Sequence, residues 1–280
     1  MATRTPNFFL FCSLGFMLIV TVPSPVLSCS SCVYQSKLAY YAYSGAVNVG
    51  ACGYGSFAAK LYGGNVGAAS SDLYRNGVGC SACYQIRCTD PKLCNKSGTT
   101  IVVADFTQNN QTYFVVSRST FSSLAIADKG SQLIKGGIID IEYKRVPCQY
   151  KDQNLVVRVD GSSQYPHYLA VQFLYQGGQT DIVSVDVAQV GTSGWHYMTR
   201  NHGAVWEIQK PPGGALQFRF VVTSGYDGKW LWAKKAVLPS DWKSEGLYDS
   251  GIQISDVALE NCNPCNENNS GWADSSWIYV

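Results

Sequence analysis

A mainly β chain of two domains is predicted from three observations. Cys52, Cys80, Cys83, Cys88 and Cys94 are interleaved with glycine over about 43 residues, a pattern of a loop-rich framework tied by disulfides. The 27 glycines and 18 tyrosines, with only 14% charged residues, favour strands and turns over helical bundles. From Leu155 onward, short alternating apolar runs recur between turn residues, and no cysteine lies between Cys148 and Cys262. A β-sandwich held by its own core is therefore expected there.

The chain opens with a segment that reads as a secretory leader. Arg4 precedes an apolar run over 8–20, Pro23 and Pro25 break it, and Val26-Leu27-Ser28 offers a cleavage point after Ser28. A membrane anchor is the alternative, but the run falls short of the ~20 apolar residues a span needs. Without residues 1–28 the chain loses Arg4, one of 21 basic residues, so 20 face 19 acidic ones. Such a balance offers no whole-protein field for nucleic acid or an anionic membrane and suits a neutral polymer such as polysaccharide. Of the eleven cysteines, Cys12 goes with the leader and ten remain, an even number expected to pair in an oxidising compartment. The rival is a zinc site at Cys80, Cys83, Cys88 and Cys94, which a secreted chain would oxidise and which leaves Cys52 and Cys148 without partners. Asn95, Asn110 and Asn268 head glycosylation sequons.

The first domain is placed at 29–149. Tyr34, Tyr40, Tyr41 and Tyr43 open it, with a first strand expected over 38–43. A short helix is expected over 66–76, capped by Gly77. Residues 83–88 read as a strand and Cys88 to Cys94 as a small closed loop. The β-branched run 100–104 predicts a buried strand ending at Asp105. Residues 119–127 predict an amphipathic helix with Phe121, Leu124 and Ala125 inward. In 137–146, Ile139, Ile141 and Tyr143 alternate with Asp140, Glu142 and Lys144, the pattern of a half-exposed strand. The linker 149–154 is too short for free tumbling, so the two domains should touch.

The second domain is placed at 154–255, with strands over 155–159, 168–175, 182–187, 205–208, 216–222, 229–237 and 251–254. Asp160-Gly161, Gly177-Gly178, Pro211-Pro212-Gly213-Gly214 and Asp227-Gly228 separate several of them. Residues 256–280 form a polar tail carrying Cys262 and Cys265.

Several motifs resemble one family. In the first domain they are Gly50-Ala51-Cys52-Gly53-Tyr54-Gly55, Cys80-Ser81-Ala82-Cys83-Tyr84-Gln85-Ile86-Arg87-Cys88, Val102-Val103-Ala104-Asp105 and the stretch from Gly137 to Cys148. In the second they are Tyr168-Leu169-Ala170-Val171, Gly194-Trp195, the run from Arg200 to Trp206, Leu216 to Phe220 and Pro239 to Trp242. In this order they resemble the expansins over about residues 36–255. Cys29-x2-Cys32 and Cys262-x2-Cys265 look most like the plant expansin-like A group. The resemblance implies a six-stranded double-psi β-barrel, related to family-45 glycoside hydrolases and barwin, followed by an immunoglobulin-like carbohydrate-binding β-sandwich. It also implies the bridges Cys52 with Cys80, Cys83 with Cys148 and Cys88 with Cys94. It leaves Cys29, Cys32, Cys262 and Cys265 unassigned.

Inverting glycoside hydrolysis needs two carboxyl groups ~6.5–9.5 Å apart. The first domain offers Asp72, Asp90, Asp105, Asp128, Asp140 and Glu142. Only Asp105 stands where a site is expected, and a turn-capping role suits it equally. Expansins carry a His-Phe-Asp motif whose Asp matches the hydrolase general acid; the aligned residues here are Tyr113-Phe114-Val115, and valine cannot donate a proton. Residues 40–49 contain no acid either. No catalytic set is expected, and Asp105 stands as a vestigial candidate.

Binding is expected to rest on aromatic faces, which stack on the apolar faces of sugar rings. The candidates are Tyr168 and Trp195, with Trp206 as a stacking or a core residue, and Tyr40, Tyr41 and Tyr113 in the first domain. A second family stacking position falls at His202. The resemblance thus implies a secreted, monomeric, non-hydrolytic plant cell-wall protein that binds cellulose, xyloglucan or a related glycan, without metal or cofactor. A weak endoglucanase using Asp105, or a barwin-like defence or signalling protein, are the alternatives.

Overall fold

The computed structural model describes residues 33–41, 50–109, 111–223, 228–234 and 236–258. The leader with its cleavage point, Cys29, Cys32, Tyr43, Cys262, Cys265 and the sequon residues Asn110 and Asn268 lie outside the described residues.

The first unit is a closed six-stranded barrel. Its strands are β1 (Tyr34–Tyr40), β2 (Val66–Ala69), β3 (Cys83–Cys88), β4 (Thr99–Phe106), β5 (Phe114–Val116) and β6 (Ile139–Val146), ordered β1-β5-β2-β4-β3-β6 around the barrel. The pairs β1/β5 and β2/β4 are parallel; the others are antiparallel. Ile101 to Ala104 of β4 are all buried, as the β-branched run requires. Strand β1 begins four residues earlier than expected, because Tyr34 to Leu38 pair with Tyr143 to Ile139 of β6.

The helix expected over 66–76 is mostly not a helix. Val66–Ala69 is strand β2, and only Ser71–Tyr74 (α1) is α-helical. Pairing with β4 and β5 on either side overrides the local preference of Gly67, Ala68 and Ala69. Small residues are needed there, since a Cβ on Gly67 would lie 2.9 Å from the Val115 carbonyl. Helix α2 (Arg118–Ser123) starts where Ser117 Oγ accepts from Thr120 N at 3.1 Å. Helix α3 (Gly130–Lys135) was not expected from the sequence. Lys144, expected on a solvent face, is buried, and burial followed by the nearby Arg87 charge lowers its ammonium pKa.

Disulfides join Cys52 to Cys80, Cys83 to Cys148 and Cys88 to Cys94, so the four thiols of the zinc alternative are all in bridges. Asn95 Nδ2 donates to Ser123 O at 2.8 Å and Ala125 O at 3.2 Å. The nitrogen that would carry a glycan therefore already holds the Cys88–Cys94 loop against the end of α2.

The second unit contains β7 (Val156–Val159), β8 (Tyr168–Leu174), β9 (Asp181–Gln189), β10 (His196–His202), β11 (Val205–Gln209), β12 (Leu216–Thr223), β13 (Gly228–Trp232) and β14 (Leu247–Asp249). They run β13-β12-β9-β10-β11-β8-β7-β14. Strand β10 belongs to both layers. Its first half pairs with β9 and its second with β11, with a register shift between Arg200 and His202. The sheet folds over itself there into a sandwich. Val157, Leu169, Val171 and Phe173 from one layer meet Val185, Val187, Phe218 and Phe220 from the other, and the Phe173 and Phe220 ring centroids are 5.4 Å apart. Strand β10 was missed because Met198 is its one core residue. Residues 251–254 are not a strand: Gly251 turns the chain at φ +70°, and β14 takes the edge beside β7.

The two units touch over the outer surface of the β11-β8-β7-β14 layer. Val156 and Leu174 join the barrel's core. Cys148 and Gly178 exchange backbone hydrogen bonds of 2.8 and 3.0 Å, and the Tyr150 ring meets Tyr62 and Tyr175 edge-on. Asp181 of the sandwich accepts from Arg145 at 2.6 Å and Arg75 at 2.8 Å, both from the barrel. Burial alone would raise the Asp181 pKa, but the two guanidinium groups outweigh it and hold the carboxyl below the usual range.

Candidate functional site

Strand β4 delivers Asp105 to the rim of the barrel, where the loop Gly50 to Cys52 closes over it. Asp105 Oδ1 accepts from Ala51 N at 2.6 Å and from Phe106 N at 2.7 Å. Its Oδ2 accepts from the Tyr41 hydroxyl at 3.1 Å. The loop can lie this close because residue 50 is glycine: a Cβ there would stand 2.5 Å from the Ala104 carbonyl. The Tyr74 hydroxyl donates to Ala51 O at 3.2 Å, and its ring packs on Phe106 with centroids 5.1 Å apart. Burial, then the Asp105 charge, raises the hydroxyl pKa of both Tyr41 and Tyr74. Both remain protonated donors.

Strand register places Asp105 in a row with the residues around it. Ala39 pairs with Val115, Val115 with Ala68, and Ala68 with Asp105. Paired residues share a face, so Val115 and Asp105 look the same way, about 10 Å apart across two strand spacings. That separation is at the edge of the range for an acid and a base in an inverting hydrolase, but the Val115 side is a methyl surface and 8% exposed. Three of the other acids are engaged elsewhere: Asp72 accepts from Tyr113 and Ser71, Asp90 from Lys92 N, and Asp140 pairs with Lys37.

The β10–β11 hairpin carries this surface onto the sandwich. Gly203, at φ +49°, seats against the Ala51–Cys52 backbone, where a Cβ would lie 2.2 Å from Ala51 O. Ala204 N donates to Cys52 O at 3.1 Å. His202 stands beside Gly53: a Cβ on that glycine would be 3.2 Å from His202 Nε2. Next comes a chain of polar contacts on the outside of the β11–β8 pair. His202 Nδ1 lies 3.0 Å from Asn201 Oδ1, Asn201 Nδ2 donates to Glu207 Oε2, and the Tyr168 hydroxyl donates to the same oxygen at 2.6 Å. Gln172 ties the strip underneath, donating to Gly53 O at 2.5 Å. One surface therefore runs from Tyr41 and Asp105, past His202, to Glu207 and Tyr168.

Among the sequence candidates, Tyr41 and Tyr168 lie at the two ends of this strip. Tyr40 does not: its ring packs on Phe121 at 4.9 Å and its hydroxyl donates to Ile134 O, so it braces α2 and α3. Tyr113 is exposed, with its hydroxyl 3.4 Å from Asp72 Oδ2, and makes no contact with Tyr41 or Asp105. Trp206 is a core residue, 2% exposed, beneath the Arg200 guanidinium at 4.2 Å, and offers no face to a ligand. Trp195 lies on the opposite layer, stacked on Arg219. Tyr74, Asn201 and Glu207 were missed. For Glu207 the signal was its place in the alternation of β11. For Tyr74 there was none, because its role depends on the loop it holds. Among the described residues, no cluster of three or more His, Cys, Asp or Glu is arranged to hold a metal ion.

Comparison with known proteins adds three findings. Residues 155–239 match the family model described as Expansin C-terminal domain, and residues 66–143 the model described as Lytic transglycolase. Expansin-like A2 of Arabidopsis thaliana is 48% identical over 259 residues, 90% of this chain and 97% of the relative. Expansin-like A3 of Oryza sativa subsp. japonica is 47% identical over 205 residues, 73% of this chain and 74% of the relative. Among solved structures, apo Clavibacter michiganensis expansin matches with a TM-score of 0.59 at 19% identity, over 82% of this chain and 99% of that one. A point mutant of that expansin, solved in complex with cellohexaose, matches with the same TM-score at 18% identity.

Proposed function

The chain belongs to the plant expansin superfamily, with the expansin-like A proteins, and from that premise we propose that it is a secreted, non-hydrolytic protein of the plant cell wall. It binds cellulose or a xyloglucan-type glycan along the strip from Asp105 and Tyr41 to Tyr168. The observation that carries this reading is the state of Asp105. Its carboxylate is held by three donors, and the position in line with it, where the family's acid is expected, is Val115. A carboxylate so engaged and without a partner acid suits orientation of hydroxyl groups better than proton transfer. Tyr168 supplies the aromatic face at the other end, with Glu207 and Asn201 as hydrogen-bonding groups for sugar hydroxyls. Any loosening of the wall then comes from competition for contacts between glycans, without bond cleavage.

The test is retention on washed wall material, with creep of a wall strip under constant load. Tyr168→Ala is expected to lower retention several-fold with an unchanged melting temperature. Retention that does not change in Tyr168→Ala would remove the strip from the account. Creep that appears only with Val115→Asp would mark the native chain as a binding module on an intact expansin scaffold.

A further inference from the structure

Strand β12 alternates strictly: Leu216, Phe218, Phe220 and Val222 enter the core, while Arg219 and Val221 turn outward. Register sets Arg219 opposite Asp186 of β9 and Trp232 of β13, and Asp186 opposite Tyr197 of β10. Trp230 is opposite Val221 on the same face. Trp195, two residues before Tyr197, reaches that face as well, since the Arg219 guanidinium stands 4.5 Å from the Trp195 ring and 4.5 Å from the Trp230 ring. Four aromatic side chains thus share the outer surface of the β13-β12-β9-β10 layer. The barrel packs on the outer surface of the other layer and meets this one at Asp181, at the start of β9, so the outer surface that carries these rings lies on the opposite side of the sandwich from the strip described above.

None of these rings is needed to complete the core, and three of them are open to solvent: Tyr197 is 60%, Trp230 40% and Trp232 53% exposed. The face is nonetheless built. Arg219 is clamped by Asp186, with Nε and Nη2 each 2.8 Å from Oδ2, and in turn fixes the two tryptophans it touches. The ion pair also cancels charge at the centre of the patch, so the surface selects neither anions nor cations. Flat rings around a neutral hydrogen-bonding centre match a pyranose chain, whose rings have apolar faces and hydroxyl edges. The Trp230 and Trp232 centroids are 6.2 Å apart, on the scale of neighbouring pyranose rings, and their planes are inclined by 38°. Inclined rings follow a twisted single chain better than a flat crystal surface.

We infer that the outer face of this layer is a second glycan-binding site, taking a single soluble β-linked neutral polysaccharide chain and leaving the Asp105–Tyr168 strip free for another. The inference shares with the proposed function only the class of ligand; the two sites have no side chain in common. A chain gripped on opposite faces holds two glycans at once, which makes the molecule a bridge between wall polymers.

The test is affinity electrophoresis of the secreted full chain in gels containing soluble xyloglucan or a mixed-linkage glucan, alongside pull-down on crystalline cellulose. The variants are Tyr168→Ala, the pair Trp230→Ala with Trp232→Ala, and all three together. Loss of two stacking rings is expected to weaken retardation in the soluble-glucan gel about tenfold, with cellulose pull-down and melting temperature unchanged. Tyr168→Ala alone should leave a residual affinity that the triple variant abolishes. Unchanged retardation in the tryptophan pair would overturn the second site. So would sedimentation showing a dimer, or flotation with neutral phosphatidylcholine vesicles, that the tryptophan pair abolishes, because the face would then belong to a second copy or a lipid surface. Failure of Tyr168→Ala alone would count against the strip and leave this site standing.

Discussion

The barrel and the sandwich reach order by different means. In the barrel, β2 and β5 are only four and three residues long, and among the described residues three disulfides close loops with sequence separations of 28, 65 and 6. The described part of the sandwich has no disulfide, but its strands reach nine residues and its core is filled by Phe173, Phe218, Phe220 and Trp206. The difference shows where a loop can be used as a site. The Gly50–Cys52 loop holds Asp105 because Cys52 is bonded to Cys80 at its base. The sandwich, stable without such ties, presents its side chains from strands and one hairpin.

Reduction of the disulfides is the harshest way to probe this contrast. Far-UV and near-UV circular dichroism in the presence of a strong reductant should show the barrel unfolding first, with tryptophan fluorescence from the sandwich retained. Simultaneous loss of both would mean the sandwich depends on the barrel. For the longest loop alone, Cys83→Ala with Cys148→Ala is expected to cost about 4 kcal/mol, read by urea denaturation. On the other side, Trp206→Ala should cost about 3–5 kcal/mol and leave the barrel's tyrosine signals in place.

The junction gives a smaller effect with a sign. The folded pKa of Asp181 is held below its unfolded value near 3.9, so its stabilisation is complete above that value and is lost as pH falls through the folded pKa. Asp181→Asn should flatten the acid limb of the stability curve below about pH 4 and cost about 3 kcal/mol at neutral pH. An unaltered acid limb would place the interdomain coupling elsewhere. The smallest expected effect is at the α2 cap, where Ser117→Ala should cost about 1 kcal/mol by thermal melting of the barrel.

Regions where local pattern and tertiary pairing agree were legible in the sequence. The run Thr100 to Ala104 predicted a buried strand with Asp105 at its end, and the alternation of Leu216 to Val222 predicted β12. Strand β2 was not legible, because Gly67, Ala68 and Ala69 carry no β signal and become a strand only between two partners. Strand β10 was hidden for a related reason: its second half changes layer, so its side chains never follow one apolar rhythm. That change of layer also decides which face each aromatic takes. Trp195 and Tyr168 sit in similar sequence settings, yet they fall on opposite sides of the sandwich. The candidate site was half legible. Asp105 and Tyr168 could be named, but the strip joining them exists only because Gly203 seats the β10–β11 hairpin on the Ala51–Cys52 backbone.

The central claim is that Asp105, in line with Val115 across strand β2, takes part in binding without hydrolysis. The most direct measurement is release of reducing ends from cellulose and xyloglucan by the native protein and by Asp105→Asn, at concentrations where binding is saturated. The account predicts no release from either protein, with weaker retention for Asp105→Asn. Release by the native protein that disappears in Asp105→Asn would contradict it and make the chain an endoglucanase.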